Sequence, residues 1–168
     1  MITLVLGGAR SGKSAVAEAL AARSPAPVTY LATTTADPAD DDMQARIAGH
    51  RARRPAAWAT LEVAPARLGA VLETTTGTVL VDSLGGWVAS ATGLAVDAHH
   101  LAGALAARRG DSVVVSEEVG MGVHPSSEVG RRFRDVLGEV NQVVGAVADE
   151  VLLVVAGRVL RLPEASPR

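Results

Sequence analysis

The stretch ITLVLGGARSGKSA, residues 2–15, sets an apolar run directly against a glycine-rich loop that ends in a lysine and a serine. Gly7, Gly12, Lys13 and Ser14 satisfy G-x-x-x-x-G-K-[ST]. The run before them reads as a strand and the residues after them as a helix, which is the context this motif requires. Glycines at these places let backbone N–H groups turn inward toward phosphate oxygens, at the positive end of the helix that follows. Lys13 then reaches the outer phosphates and the Ser14 hydroxyl ligates Mg²⁺. The segment Gly7, Gly8, Ala9, Arg10, Ser11, Gly12, Lys13 and Ser14 is thus expected to hold a nucleoside triphosphate.

Outward from this loop, short β-branched runs alternate with longer helical patterns. The spacing predicts strands at Ile2–Leu6, Val28–Ala32, Thr60–Val63, Thr78–Val81, Ser112–Ser116 and Val151–Val155, with a final antiparallel piece at Val159–Leu162. Most of these runs are continuous rather than alternating, as in strands buried on both faces. Helical patterns fall at Lys13–Arg23, Met43–Arg53, Ala66–Glu73, Asp97–Arg108 and Glu128–Ala148. The order implies βαβ units, hence an α/β fold with a mostly parallel sheet, helices on both faces and a C-terminal antiparallel hairpin. There is no internal repeat and no dividing linker, so residues 1–168 read as a single nucleotide-binding domain.

Composition narrows the function further. The 168 residues are 48% hydrophobic, enough for one full core, and the formal net charge of −2 gives no sign of a polyanion partner. Two Trp, one Tyr and one Phe are too few for a base-stacking platform, so nucleic acid is disfavoured. The absence of cysteine excludes disulfides, thiolate metal sites and Cys nucleophiles, and suits a cytoplasmic protein. ITLVL is too short for a signal sequence, and no apolar run approaches the roughly 20 residues of a membrane span. A soluble, unprocessed chain is expected.

A phosphate loop needs a carboxylate near its metal, and TVLVDS offers Asp82 at the end of an apolar strand, where an acid can hold Mg²⁺ directly or through water. The plainer alternative is a strand-terminal Asp that caps the next helix. Glu117 and Glu118 also follow a buried strand on the ligand side, either as ligand contacts or as solvated loop acids. In DDDMQARIAGHRARRP, residues 40–55, the acids at the start and arginines at the end suit a surface helix. Arg46, His50 and Arg53 or Arg54 also share one helical face. Flanking cations lower an imidazole pKa, keeping it neutral as a nucleophile or base.

Taken together, GGARSGKS, YLAT, the stretch DDDM-x₂-RIAGHRARRP, Trp58 with Glu62, VDSLGGW, VSEEVGMG-x₂-P and GRRFRDVLGEVNQ…ADEVLLVVAG occur here in one order. This set resembles the bifunctional adenosylcobinamide kinase/adenosylcobinamide-phosphate guanylyltransferase family of cobalamin biosynthesis, from Ile2 to Leu162. The resemblance implies a RecA-like P-loop fold and a homotrimer with its active site near a subunit boundary. It implies phosphorylation of adenosylcobinamide with ATP or GTP, then transfer of GMP from GTP to adenosylcobinamide phosphate through a guanylylated histidine corresponding to His50. Nucleotide contacts carried over from the family are the phosphate loop, Ala32, Thr33, Thr34, Arg51, Ala52, Arg53, Arg54, Glu62 and Asp82.

Departures from the family pattern concentrate at two places. Ser83, Gly85 and Gly86 stand in VDSLGGW where VDCLTLW is common, and each glycine costs about 1 kcal/mol of helix propensity. Glu117 replaces an asparagine and adds negative charge beside the expected phosphates, and His124 stands where an aliphatic residue is usual. Two other readings of the chain are a single-function P-loop kinase for another small alcohol, and a nucleotide-gated binding protein without transfer chemistry. For the trimer, aliphatic surface on Met43–Arg53 or Leu84–Leu94 is the expected subunit contact.

Overall fold

The structure is a computed structural model that describes residues 1–24, 27–34, 49 and 54–164. Its elements run β1 (Ile2–Gly7), α1 (Lys13–Ala21), β2 (Val28–Ala32), β3 (Ala59–Glu62), a 3₁₀ turn at Pro65–Arg67 leading into α2 (Leu68–Thr74), β4 (Thr78–Asp82) and α3 (Leu84–Ser90). A second 3₁₀ turn at Thr92–Leu94 precedes α4 (Ala98–Ala107), β5 (Ser112–Glu117), α5 (Glu128–Gly145), β6 (Glu150–Val155) and β7 (Arg158–Leu162). The seven strands form one sheet in the order β3-β2-β4-β5-β1-β6-β7. All pairings are parallel except β6 with β7.

Every expected strand is present, within a residue or so at each end. β1, β2, β4 and β5 are the continuous Val/Leu/Ile runs and are buried throughout most of their length, as strands covered on both faces must be. The outer strands differ: β3 is exposed along its whole length and β7 nearly so. The expected helix at Met43–Arg53 lies outside the described residues.

Apolar packing is split between the two faces of the sheet. On one face α1 lies against Val5, Tyr30, Leu80, Val113 and Val115, contributing the small residues Ala17 and Ala21. The other face carries the larger layer, with α2, α3, α4 and α5 burying Leu68, Leu72, Leu84, Trp87, Leu101, Leu105, Leu137, Val140 and Val144. Fully burying one such side chain contributes about 1.5–3 kcal/mol. α5 shows why its sequence is helical: Leu137, Val140 and Val144 form a single buried stripe, and the Ser127 side chain accepts from Gly130 N–H as an N-cap. Arg108 fastens the edge remote from the phosphate loop, donating to the carbonyls of Leu72, Thr75 and Gly77 at 2.7, 2.6 and 2.7 Å. Burial lowers its pKa below the usual guanidinium range.

α3 forms although its sequence, LGGWVAS, is poor helix material. Ser83 caps it by accepting from Gly86 N–H at 3.2 Å, and Leu84, Trp87 and Val88 anchor it in the core. Those same residues turn the apolar side of the helix into the core. No helix among the described residues is long and apolar enough to cross a membrane.

Candidate functional site

Parallel pairing places the ends of five strands along one edge. In register, Glu62 of β3 stands beside Ala32 of β2, Ala32 beside Asp82 of β4, Asp82 beside Val115 of β5, and Glu117 beside Gly7 of β1. Residues more than a hundred positions apart in sequence therefore meet on the side where open α/β sheets take their ligands.

The loop 7–14 is held by close backbone contacts. Gly7 is buried, and a Cβ there would stand 2.5 Å from Ser11 Oγ and 2.8 Å from the Val154 carbonyl, so only glycine fits. Gly12 has φ +94°, a left-handed conformation that glycine adopts without strain, and α1 starts immediately after it. Ser11 N–H donates to the Gly8 carbonyl at 3.3 Å and Lys13 N–H to Ser11 Oγ at 3.3 Å. Two neighbouring strands brace the loop from outside. Glu118 N–H donates to the Gly7 carbonyl at 3.1 Å, and Gly157 N–H to the Ser11 carbonyl at 2.8 Å. Gly157 belongs to the β6–β7 turn, where Ala156 and Gly157 both have positive φ, as in a two-residue hairpin turn.

Lys13 projects along this loop: its Nζ donates to the Gly8 carbonyl at 3.4 Å and lies 3.5 Å from Glu117 Oε1. Of the two acids at the end of β5, Glu117 thus faces the loop, whereas Glu118 Oε1 accepts from Gly120 N–H at an exposed turn. His124 is exposed in the loop after β5.

Asp82 sits on the neighbouring strand and does not cap α3, which is the role of Ser83. Its Oδ2 accepts from the Tyr30 hydroxyl at 2.8 Å. Burial, reinforced by the Asp82 charge and that hydrogen bond, holds the Tyr30 phenol well above its usual pKa, and Arg54 pulls the other way. The Arg54 guanidinium lies over the Tyr30 ring, 3.6 Å from its centroid, and donates to Thr60 Oγ1 at 3.2 Å. Beside it, Arg54, Pro55, Ala56, Trp58, Thr60 and Glu62 line an open cleft of about 420 Å³. Thr33 links the two areas: its hydroxyl donates to the Ser83 carbonyl at 2.5 Å, and its N–H to the Asp82 carbonyl at 3.4 Å. Thr34 packs against Gly86, where a Cβ would overlap its hydroxyl.

The structure therefore brings Gly7–Ser14, Ala32, Thr33, Thr34, Arg54, Glu62 and Asp82 to one edge of the sheet. His50, with Arg46, Arg51, Ala52 and Arg53, lies outside the described residues. Three supporting residues had no role from sequence: Tyr30, Asn141 and Gly157. Each lies within a stretch quoted for its likeness to the family, YLAT, GEVNQ and LLVVAG, and each acts through a contact that local spacing does not encode. Ser14 and Asp82 carry oxygen atoms of the kind that would suit Mg²⁺. No group of three His, Cys, Asp or Glu gathers among the described residues. That is compatible with an ion held by one carboxylate, water and substrate phosphates.

Residues 3–162 match the family model described as cobinamide kinase/cobinamide phosphate guanyltransferase. The chain is 43% identical to the bifunctional adenosylcobalamin biosynthesis protein CobP of Pseudomonas aeruginosa, covering 94% of each chain. It is 42% identical to the bifunctional adenosylcobalamin biosynthesis protein CobU of Salmonella typhimurium, covering 94% of this chain and 97% of that one. Among solved structures, it resembles an ATPase from a bacterial type III secretion system, with TM-score 0.57 and 8% identity over 90% of this chain and 50% of that one. It also resembles the flagellar accessory protein FlaH of Methanocaldococcus jannaschii, with TM-score 0.50 and 14% identity over 94% of this chain and 74% of that one. At such identities the structural likeness speaks for the fold alone, a mostly parallel α/β sheet covered by helices. The chain belongs to the cobinamide kinase/cobinamide phosphate guanyltransferase family.

Proposed function

We propose that this family member is a bifunctional enzyme of cobalamin biosynthesis. It phosphorylates adenosylcobinamide with ATP or GTP, and then transfers GMP from GTP to adenosylcobinamide phosphate. The products of the second step are adenosyl-GDP-cobinamide and pyrophosphate. The observation that carries this reading is the family match over residues 3–162, which runs through every segment the two reactions draw on.

In the kinase step the hydroxyl oxygen of the aminopropanol arm bonds to the γ-phosphorus and gives up its proton to solvent, the bond to the bridging oxygen breaks, and the nucleoside diphosphate leaves. Little covalent chemistry falls to the protein. Lys13 and the backbone N–H groups of the loop align the triphosphate and stabilise the charge that develops on it. Mg²⁺, where Ser14 and Asp82 would hold it, supplies further charge neutralisation on the phosphates. The Tyr30 hydrogen bond fixes the orientation of the Asp82 carboxylate.

Guanylyl transfer involves the α-phosphorus instead. A neutral His50 imidazole nitrogen bonds to it and pyrophosphate departs. An oxygen of the cobinamide phosphate then bonds to the same phosphorus and releases the imidazole, forming the diphosphate link. Arg51, Arg53 and Arg54 suit the incoming and departing phosphates. Ala32, Thr33, Thr34, Ala52 and Glu62 complete the nucleotide contacts. A homotrimer of single-domain subunits in the cytoplasm completes the reading. Mass spectrometry after incubation with GTP and Mg²⁺ tests the class of enzyme: a covalently bound GMP supports guanylyl transfer, and its absence under conditions of GTP turnover contradicts it.

A further inference from the structure

One junction beside the loop ties together Lys13, Gly85 and Glu117. Lys13 and Glu117 form an ion pair at 3.5 Å, with only 11% of the lysine side chain and 28% of the glutamate side chain exposed. The second carboxylate oxygen, Oε2, accepts from Gly85 N–H at 3.0 Å. A Cβ on residue 85 would overlap that oxygen, so the carboxylate reaches its place because residue 85 has no side chain. The strand end behind it is also held. The Glu117 carbonyl accepts from Asn141 Nδ2 at 3.1 Å, and Ser116 Oγ donates to Asn141 Oδ1 at 2.6 Å. A seated anion thus stands beside the cation that meets the triphosphate.

We propose that Glu117 is an internal competitor for Lys13: it engages the ammonium when no nucleotide is bound, lowers nucleotide affinity, and depends on Gly85 for its seat. The proposal rests on reading Gly7–Ser14 as the triphosphate site. A phosphate entering the loop brings negative charge toward the carboxylate and must share or replace its hold on Lys13, and both effects oppose binding. The same competition loosens the diphosphate product, whose release limits turnover in many enzymes of this kind.

Two measurements on the full chain test the two halves of the proposal. Glu117→Gln keeps the size of the side chain and an acceptor for Gly85 N–H but removes the charge. Equilibrium titration with ATP and with ADP should show both nucleotides binding about fivefold more tightly to this variant; unchanged or weaker binding overturns the competition. For the seat, thermal midpoints are compared in a double-mutant cycle. Gly85→Ala should destabilise the protein that has Glu117, and should be neutral or stabilising in a Glu117→Ala background, where the overlap is gone and alanine's helix propensity remains. An equal penalty in both backgrounds overturns the seat. Failure of the unaltered protein to bind ATP would instead sink the triphosphate reading of the loop, an outcome distinct from either of these.

Discussion

The loop at the end of β1 and the rim beside β3 occupy the same edge of the sheet but are built from different material. The loop is backbone: Gly7 is walled in by Ser11 and Val154, and the tips of β5 and β6–β7 hold its carbonyls at 3.1 and 2.8 Å. The rim is side chain: Arg54 stacked on Tyr30, with Trp58, Thr60 and Glu62 around an open cleft on an exposed strand. Backbone amides recognise phosphate whatever nucleoside carries it, which suits a protein that uses one triphosphate at its γ-phosphorus and one at its α-phosphorus. Exposed side chains can distinguish donors and serve one reaction without touching the other.

The largest expected effect belongs to the loop. Lys13→Met should abolish kinase and guanylyltransferase activity together, with losses of at least a hundredfold in kcat/KM for each, because both reactions need the triphosphate seated. A variant that kept guanylyl transfer would show that the two reactions bind nucleotide separately. At the rim the effect should be smaller and one-sided. Arg54→Ala removes the guanidinium proposed to meet a phosphate, an exposed charge contact worth about 0.5–1 kcal/mol, so KM for GTP in guanylyl transfer should rise about two- to fivefold with the ATP-dependent kinase step nearly unchanged. Arg54→Lys should recover little, since the planar stack is lost. Equal effects on both reactions would place the rim and the loop in one functional unit.

The smallest effect concerns pH. Tyr30 is the sole tyrosine of the chain, so tyrosinate absorbance reports it alone. Its folded-state pKa is raised, chiefly by burial. Above about pH 10 the unfolded chain loses a proton that the folded protein keeps. Stability from this group is therefore complete below about pH 10 and declines as pH rises beyond it. Tyrosinate should appear only with unfolding; ordinary titration in the still-folded protein would mean that the Asp82–Tyr30 contact is open.

Much of this edge is legible from sequence, because continuous apolar runs mark β1, β2, β4 and β5 and a strict motif marks the loop. Where apolar periodicity weakens, so does the reading: β3, exposed throughout, begins at Ala59 and ends at Glu62, one residue earlier at each end than Thr60–Val63 suggests. The helix at Leu84 is absent from the periodic patterns, although the sequence reading has a helix start there weakened by its glycines; the Ser83 cap and three core residues override those two glycines. Long-range contacts were the least legible part of the site. Nothing in local spacing joins Lys13 to Glu117, Tyr30 to Asp82, or Gly157 to Ser11. The departures at Gly85 and Glu117, which read as separate oddities in sequence, meet in space.

One loop should serve both reactions while His50 serves one. The most direct test follows phosphorylated adenosylcobinamide and acid-labile GMP–protein adduct in parallel for the His50→Ala variant. The expected result is complete loss of the adduct and of adenosyl-GDP-cobinamide, because the nucleophile is gone, with phosphorylation of adenosylcobinamide persisting. An adduct that survives would move the nucleophile elsewhere, with His124 the next residue to test. Loss of both activities while nucleotide still binds would make His50 a group shared by the two reactions and contradict the division.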